Sequence, residues 1–136
     1  MNILIDTSAM YAVADSTDGN NQIALKVWAR LLKEAELIVT SSNALTETIS
    51  LLHARAGTSV IRAFVETILP AIEIDWADQD THDAALRMML ATEGKKGPSL
   101  TDCANLETMR RLRIQTIFAY DKHYERPGIT VIGAEA

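Results

Sequence analysis

The run Ile3-Leu4-Ile5, closed by Asp6, restricts what this chain can fold into more than any other stretch. Three apolar residues in a row, with no alternation, describe a strand covered on both faces. Such a strand belongs inside a mostly parallel sheet with helices on either side. Asp6 follows at once, and Thr7 and Ser8 bring helix-start chemistry ahead of Ala9, Met10, Tyr11, Ala12 and Val13. A carboxylate at the C-terminal end of a central strand projects into the crevice where open α/β sheets bind ligands. The structural alternative is that Asp6 caps the next helix, and this stretch alone leaves both open.

The same grammar recurs along the chain. A polar loop over 15–21 precedes an amphipathic helix on Ile23, Val27, Leu31 and Leu32 that runs to about Ala35. Residues 37–39 form a second short strand, and Thr40, Ser41 and Ser42 offer caps for a helix ending at Gly57. A further helix starts at Thr58 and stops at Pro70, before a third strand over 71–74. Asp78 and Asp80 open a helix reaching Ala91, and 94–98 is a loop exposing Lys95 and Lys96. Thr101 caps a helix to about Arg113, a fourth strand spans 115–119, and a fifth spans 129–132. Short apolar strands alternating with helices predict an α/β sandwich, a mostly parallel sheet of five short strands flanked by helices. At 136 residues, with no repeat or linker, a single domain over 1–136 is expected.

Composition narrows the function. Aromatics at 5% leave little for a base-stacking platform, and a net charge of −5 disfavours a broad basic surface for nucleic acid. A local carboxylate cluster built for a divalent cation lowers the formal charge without excluding RNA once the ion is bound. The lone Cys103 fits a reducing compartment. No secretory signal is visible and no apolar run nears the roughly 18 residues of a membrane span, so a cytoplasmic location without membrane attachment is expected.

Four acids stand where this fold would gather them: Asp6, Glu47, Asp102 and Asp121. Asp6 and Asp121 follow apolar strands and therefore share the carboxyl edge of the sheet. Glu47 lies on a polar helical stripe with Asn43 and Ser50, opposite the leucines. Asp102 opens a helix, followed by the small Cys103 and Ala104 and, one turn on, by Asn105. Each has a plainer reading, as a solvated helix residue or a helix cap. His53, His82 and His123 lack partners implied by spacing and read as packing or surface residues. Cys103, Met88 and Met89 read as core filler. Lys95 and Lys96 are candidates for the substrate backbone, while Arg110, Arg111 and Arg113 suit a helix C-terminus on charge alone.

Asp6-Thr7-Ser8 after a strand, Glu47 within Ser-Ser-x-x-Leu-x-Glu, Ser99-Leu100-Thr101-Asp102 before a helix, and the segment Phe118-Ala119-Tyr120-Asp121-Lys122-His123-Tyr124 together resemble the PIN domain. The likeness is nearest to the VapC-type toxins of VapBC toxin–antitoxin pairs, and the motifs keep family order from residue 1 to 124. Ala119 departs from the pattern, standing where the family often has Thr. The resemblance implies a three-layer PIN-like fold and a Mg²⁺- or Mn²⁺-dependent endoribonuclease of the toxin type. Asp6, Glu47, Asp102 and Asp121 would be its catalytic, metal-binding acids, and Thr7, Ser8 and Thr101 hydroxyls supporting the cofactor site. It further implies an RNA substrate, a cognate antitoxin and a homodimer, for which the apolar helices around Leu51–Leu52 and Phe64–Val65 offer a surface.

The chemistry is consistent with that likeness. Close carboxylates repel, and one takes up a proton unless a cation neutralises them. Oxygen ligands favour Mg²⁺ or Mn²⁺, and no Cys/His set is spaced for zinc. With water as nucleophile, hydrolysis leaves a 5′-phosphate and a 3′-hydroxyl. Two rivals stand: a Mg²⁺-dependent phosphatase, which wants a second Asp two residues after the first where this chain has Thr7 and Ser8, and a catalytically silent PIN-like binding module.

Overall fold

In the computed structural model, which describes residues 1–134, five parallel strands form one sheet in the order β3-β2-β1-β4-β5. The strands are β1 (Asn2–Ile5), β2 (Leu37–Ser41), β3 (Glu73–Asp75), β4 (Thr116–Phe118) and β5 (Thr130–Ile132). The helices are α1 (Thr7–Ala14), α2 (Asn21–Glu34), α3 (Ser42–Arg55), α4 (Thr58–Ala63), α5 (Gln79–Leu90) and α6 (Leu100–Leu112).

β1 lies at the centre, and Ile3, Leu4 and Ile5 are all fully buried, as an unbroken apolar run requires. Their side chains divide between the two faces. Ile3 and Ile5 join Ile38 and Phe118, the register partners on β2 and β4, in a core packed under α1, α2 and α3. Leu4 points the other way and joins Val39 and Ile117 with Leu106 and Met109 of α6. This alternation makes three layers from one three-residue run.

The strand order also fixes where a ligand site can form. The chain leaves β1 toward β2 and β3 on one side, then crosses to β4 and β5 on the other. The connections diverge at the C-terminal ends of β1 and β4, which opens a crevice there. Asp6 follows β1 directly, and Asp121 comes three residues after β4.

Three boundaries differ from the sequence expectation. The helix entering at Thr58 does not run regularly to Pro70: α4 ends at Ala63, a π turn covers Phe64–Ile68, and Leu69–Ala71 is a 3-10 turn. Pro70 lacks the N–H that an α-helix would use, so the segment tightens and β3 begins only at Glu73. Helix α6 is capped by Ser99 rather than Thr101, in a reciprocal box with Asp102. The surface expected for a dimer is also partly occupied. Leu52 and Phe64 are 0% and 1% exposed within the chain's own core, because they pack beneath the sheet face that α3 covers.

Candidate active site

All four acids border one cleft of about 770 Å³ at the predicted crevice. Local chemistry puts three of them there, Asp6 and Asp121 as helix caps and Asp102 as the acidic partner in a capping box. The Asp6 carboxylate caps α1 by accepting from the Ser8 N–H (3.2 Å) and hydroxyl (2.7 Å) through Oδ2. Its other oxygen, Oδ1, accepts from Asn105 Nδ2 (2.8 Å) and the Tyr124 hydroxyl (3.0 Å). Asp102 Oδ2 accepts from the Ser99 N–H at 2.9 Å to complete the capping box, while Oδ1 lies 3.0 Å from the Tyr124 hydroxyl. Asp121 caps a 3-10 turn over Lys122–Tyr124 by accepting from the His123 N–H at 2.8 Å. Capping and site formation are therefore not alternatives: one carboxylate does both, with the cap fixing its orientation.

Asp6 and Asp102 are 3% and 4% exposed. Burial, reinforced by the nearby Asp102 charge, holds the Asp6 carboxyl above the usual carboxylate range despite its Ser8 and Tyr124 donors. Tyr124, fully buried, is the hub between them, and burial together with the two carboxylates keeps its phenol protonated far beyond neutral pH. A phenol has one proton to share between two carboxylate oxygens at equal distance. One of the two acids is thus left short of a donor, which a proton on Asp6 or a nearby cation relieves. Asn105 completes the net, its Oδ1 accepting from the Ser41 hydroxyl at 2.6 Å.

Glu47 reaches the cleft from α3 and is exposed; its Oε2 accepts from the Thr101 hydroxyl at 2.8 Å, joining α3 to α6 across the opening. Ser8 also accepts from the Tyr120 N–H at 2.9 Å, tying α1 to the segment after β4. Thr7 borders the cleft, but its hydroxyl donates to the Ala44 carbonyl at 3.3 Å and so holds α1 against α3. Ala119 is buried against the Tyr124 side of the sheet.

Sequence reasoning missed two residues here. His123, read as a packing or surface residue, places Nδ1 3.1 Å from Asp102 and 2.9 Å from Asp121. Ligand atoms of these three residues lie within 4.8 Å of one another. Tyr124 was legible only as the end of a motif, since nothing in its spacing shows the phenol turning back to Asp6. The one available signal was the cap at Asp121, which starts a tight turn and swings the third residue beneath the sheet edge. Two oxygens and an imidazole nitrogen, beside the buried Asp6 carboxyl, suit a hard or borderline divalent ion.

The other expectations sort cleanly. Lys95 borders the cleft, whereas Lys96 offers its backbone carbonyl 3.3 Å from His123 Nε2. Arg110 pairs with Glu107 at 2.5 Å and Arg111 with Asp75, on the α6 surface beyond the cleft. Cys103 is fully buried in a cluster with Ala85 and Ala104, against which Met88, Met89 and Leu100 pack. Among the described residues, no helix is long and apolar enough to cross a membrane.

Known proteins share this fold. The chain is 23% identical to the 23S rRNA-specific endonuclease VapC20 of Mycobacterium tuberculosis over 98% of its length and 99% of that protein's. The crystal structure of that VapC20, described as a sarcin-ricin loop cleaving toxin, superposes with a TM-score of 0.77 at 24% identity, covering 89% of this chain and 91% of the other. VapBC2 of Rickettsia felis, bound to a promoter DNA fragment, gives 0.71 at 15% identity over 97% and 98%. The PIN domain model matches residues 3–129, and the chain belongs to the PIN domain family.

Proposed function

We propose that this protein is a Mg²⁺- or Mn²⁺-dependent endoribonuclease that hydrolyses RNA phosphodiester bonds, and that it is the toxin of a toxin–antitoxin pair. The observation carrying this reading is the convergence of Asp6, Glu47, Asp102 and Asp121 on one cleft, with two of the acids buried around a single phenol proton. Asp6, Asp102 and Asp121 would hold the ion, with Glu47 at the opening and His123 adjacent. A bound divalent ion supplies a more acidic water and offsets charge on the scissile phosphate.

The chain's own residues set the stage for that chemistry. Ser8, Asn105 and Tyr124 hold Asp6 so that its carboxylate is aimed before any ligand arrives. Tyr124 stays a donor and is no base, since its proton is held far past neutral pH. Thr101 keeps Glu47 turned inward. Lys95, at the cleft wall, meets the substrate backbone. With water as nucleophile, the products carry a 5′-phosphate and a 3′-hydroxyl.

The VapC20 relative, an endonuclease by name, supports the substrate class, and the VapBC2 neighbour supports a cognate antitoxin, which on this reading would cover the acidic cleft. Cleavage of a mixed RNA pool that includes ribosomal RNA, with Mn²⁺, tests the reading. Wild type should cut and Asp102→Asn should not; equal activity in both would mean a contaminant or the wrong site. Calorimetric titration separates the rivals, because a silent module would show no Mn²⁺ binding that depends on Asp6.

A further inference from the structure

We infer that Arg55 is a phosphate-holding residue for the RNA strand, placed away from the scissile bond; this rests on the nuclease reading above. Glu47, Leu51 and Arg55 follow one another at four-residue spacing on α3, and all three border the cleft. At 1.5 Å per residue, Arg55 stands about 12 Å along the helix from Glu47. It therefore meets a strand lying over the acids at a neighbouring phosphate, not at the one being cut.

Its surroundings distinguish it from three of the other arginines. Arg30, Arg110 and Arg111 face Glu34, Glu107 and Asp75. Among the described residues no carboxylate lies within salt-bridge distance of Arg55. Its guanidinium sits 5.4 Å from the centroid of the Tyr11 ring instead. That ring is buried, and its hydroxyl donates to Asp15 at 2.6 Å, so the platform is fixed. A guanidinium lying over an aromatic face, beside the Tyr11–Asp15 pair whose charge it feels, still has a pair of N–H donors to offer the bidentate contact that phosphate favours. The cleft thus has an acidic floor, Lys95 on its loop wall and Arg55 at the far end of α3, which suits a strand drawn across the acids.

A helix C-terminus also favours a cation, so the test must separate anchoring from stability. Anisotropy of a fluorescein-labelled single-stranded oligoribonucleotide, with a phosphorothioate backbone that resists cleavage, is followed against KCl concentration in Mg²⁺. For Arg55→Ala the slope of log K on log salt should be shallower by about 0.7, one lost phosphate contact on a single strand. Arg55→Lys should keep the slope and bind more weakly. An unchanged slope in Arg55→Ala, with or without a lower melting temperature, overturns the assignment, as does an absence of RNA binding by wild type. Failure of wild type to cleave in the pool assay, with the Arg55-dependent slope intact, would instead overturn the nuclease reading.

Discussion

Two buried aspartates bracket α1, and they are held in opposite ways. Asp15, just past its C-terminal end, accepts from the Tyr11 hydroxyl at 2.6 Å and from the Thr17 N–H and hydroxyl at 2.9 and 2.7 Å. Those donors pull its carboxyl below the usual carboxylate range. Asp6, at the N-terminal end, has four donors to Asp15's three, yet burial and the facing Asp102 push its carboxyl upward. Asp15 is a charge the fold has satisfied. Asp6 is a charge the fold tolerates at a cost, and such local conflict is what a site needing a cation produces.

The largest test of that contrast is charge removal. Asp6→Asn should reduce Mn²⁺-dependent RNA cleavage by roughly a hundredfold or more, beyond the ten- to hundredfold usual for residues behind a metal ligand. In EDTA the same variant should melt no lower than wild type, since it relieves a buried repulsion. Asp15→Asn should destabilise by about 1–3 kcal/mol in the same buffer, because the Tyr11 hydroxyl and the Thr17 donors lose a charged acceptor. Comparable destabilisation in both variants, by urea melts, would erase the distinction.

Tyr124→Phe comes next. It keeps the ring and strips the shared proton from both Asp6 and Asp102. A loss of about 1–3 kcal/mol and a ten- to hundredfold fall in activity are expected. If added Mn²⁺ restores stability but leaves activity low, the phenol orients the acids; full recovery of both would reduce it to a neutraliser of charge.

The pH dependence sharpens the comparison in sign. A carboxyl raised in the folded state binds its proton more tightly there than in the unfolded chain, so Asp6 makes metal-free stability fall as pH rises through its elevated range. A depressed carboxyl does the reverse: the Asp15 contribution is present above the ordinary carboxylate range and is lost as pH falls through its folded value. Melts in EDTA at pH above the ordinary carboxylate range should therefore show a decline with rising pH that Asp6→Asn removes. Melts at lower pH should show a second decline that Tyr11→Phe weakens.

Much of this was readable from the chain, and the unread part has a physical cause. Ile3-Leu4-Ile5 announces its place because a doubly covered strand must be apolar at every position. Asp6, Asp102 and Asp121 are legible because strand ends and helix starts are marked locally, so their gathering at the diverging ends of β1 and β4 follows from topology. Tyr124, His123 and Arg55 were not, since each makes contact with an element distant in sequence: Tyr124 reaches Asp6 over 118 positions, His123 reaches Asp102, and Arg55 lies over Tyr11. Leu52 and Phe64 were misplaced for the same reason, because helical spacing shows an apolar face without showing what covers it.

The smallest expected effect concerns the exposed side of the cleft. Glu47 is held inward by one bond, from the Thr101 hydroxyl at 2.8 Å, in contrast to the four donors around Asp6. Thr101→Val keeps the shape and removes that bond. An exposed neutral-to-charged hydrogen bond contributes little to folding, so stability should move by no more than about 0.5 kcal/mol. Losing an orienting partner should weaken Mn²⁺ affinity by about threefold to tenfold, at the low end for an outer residue. Calorimetry on Thr101→Val and Glu47→Gln decides between two arrangements. If both weaken binding, the exposed acid shares the ion with the buried pair. If neither does, Asp6, Asp102 and Asp121 suffice, and Glu47 answers to the substrate side of the cleft.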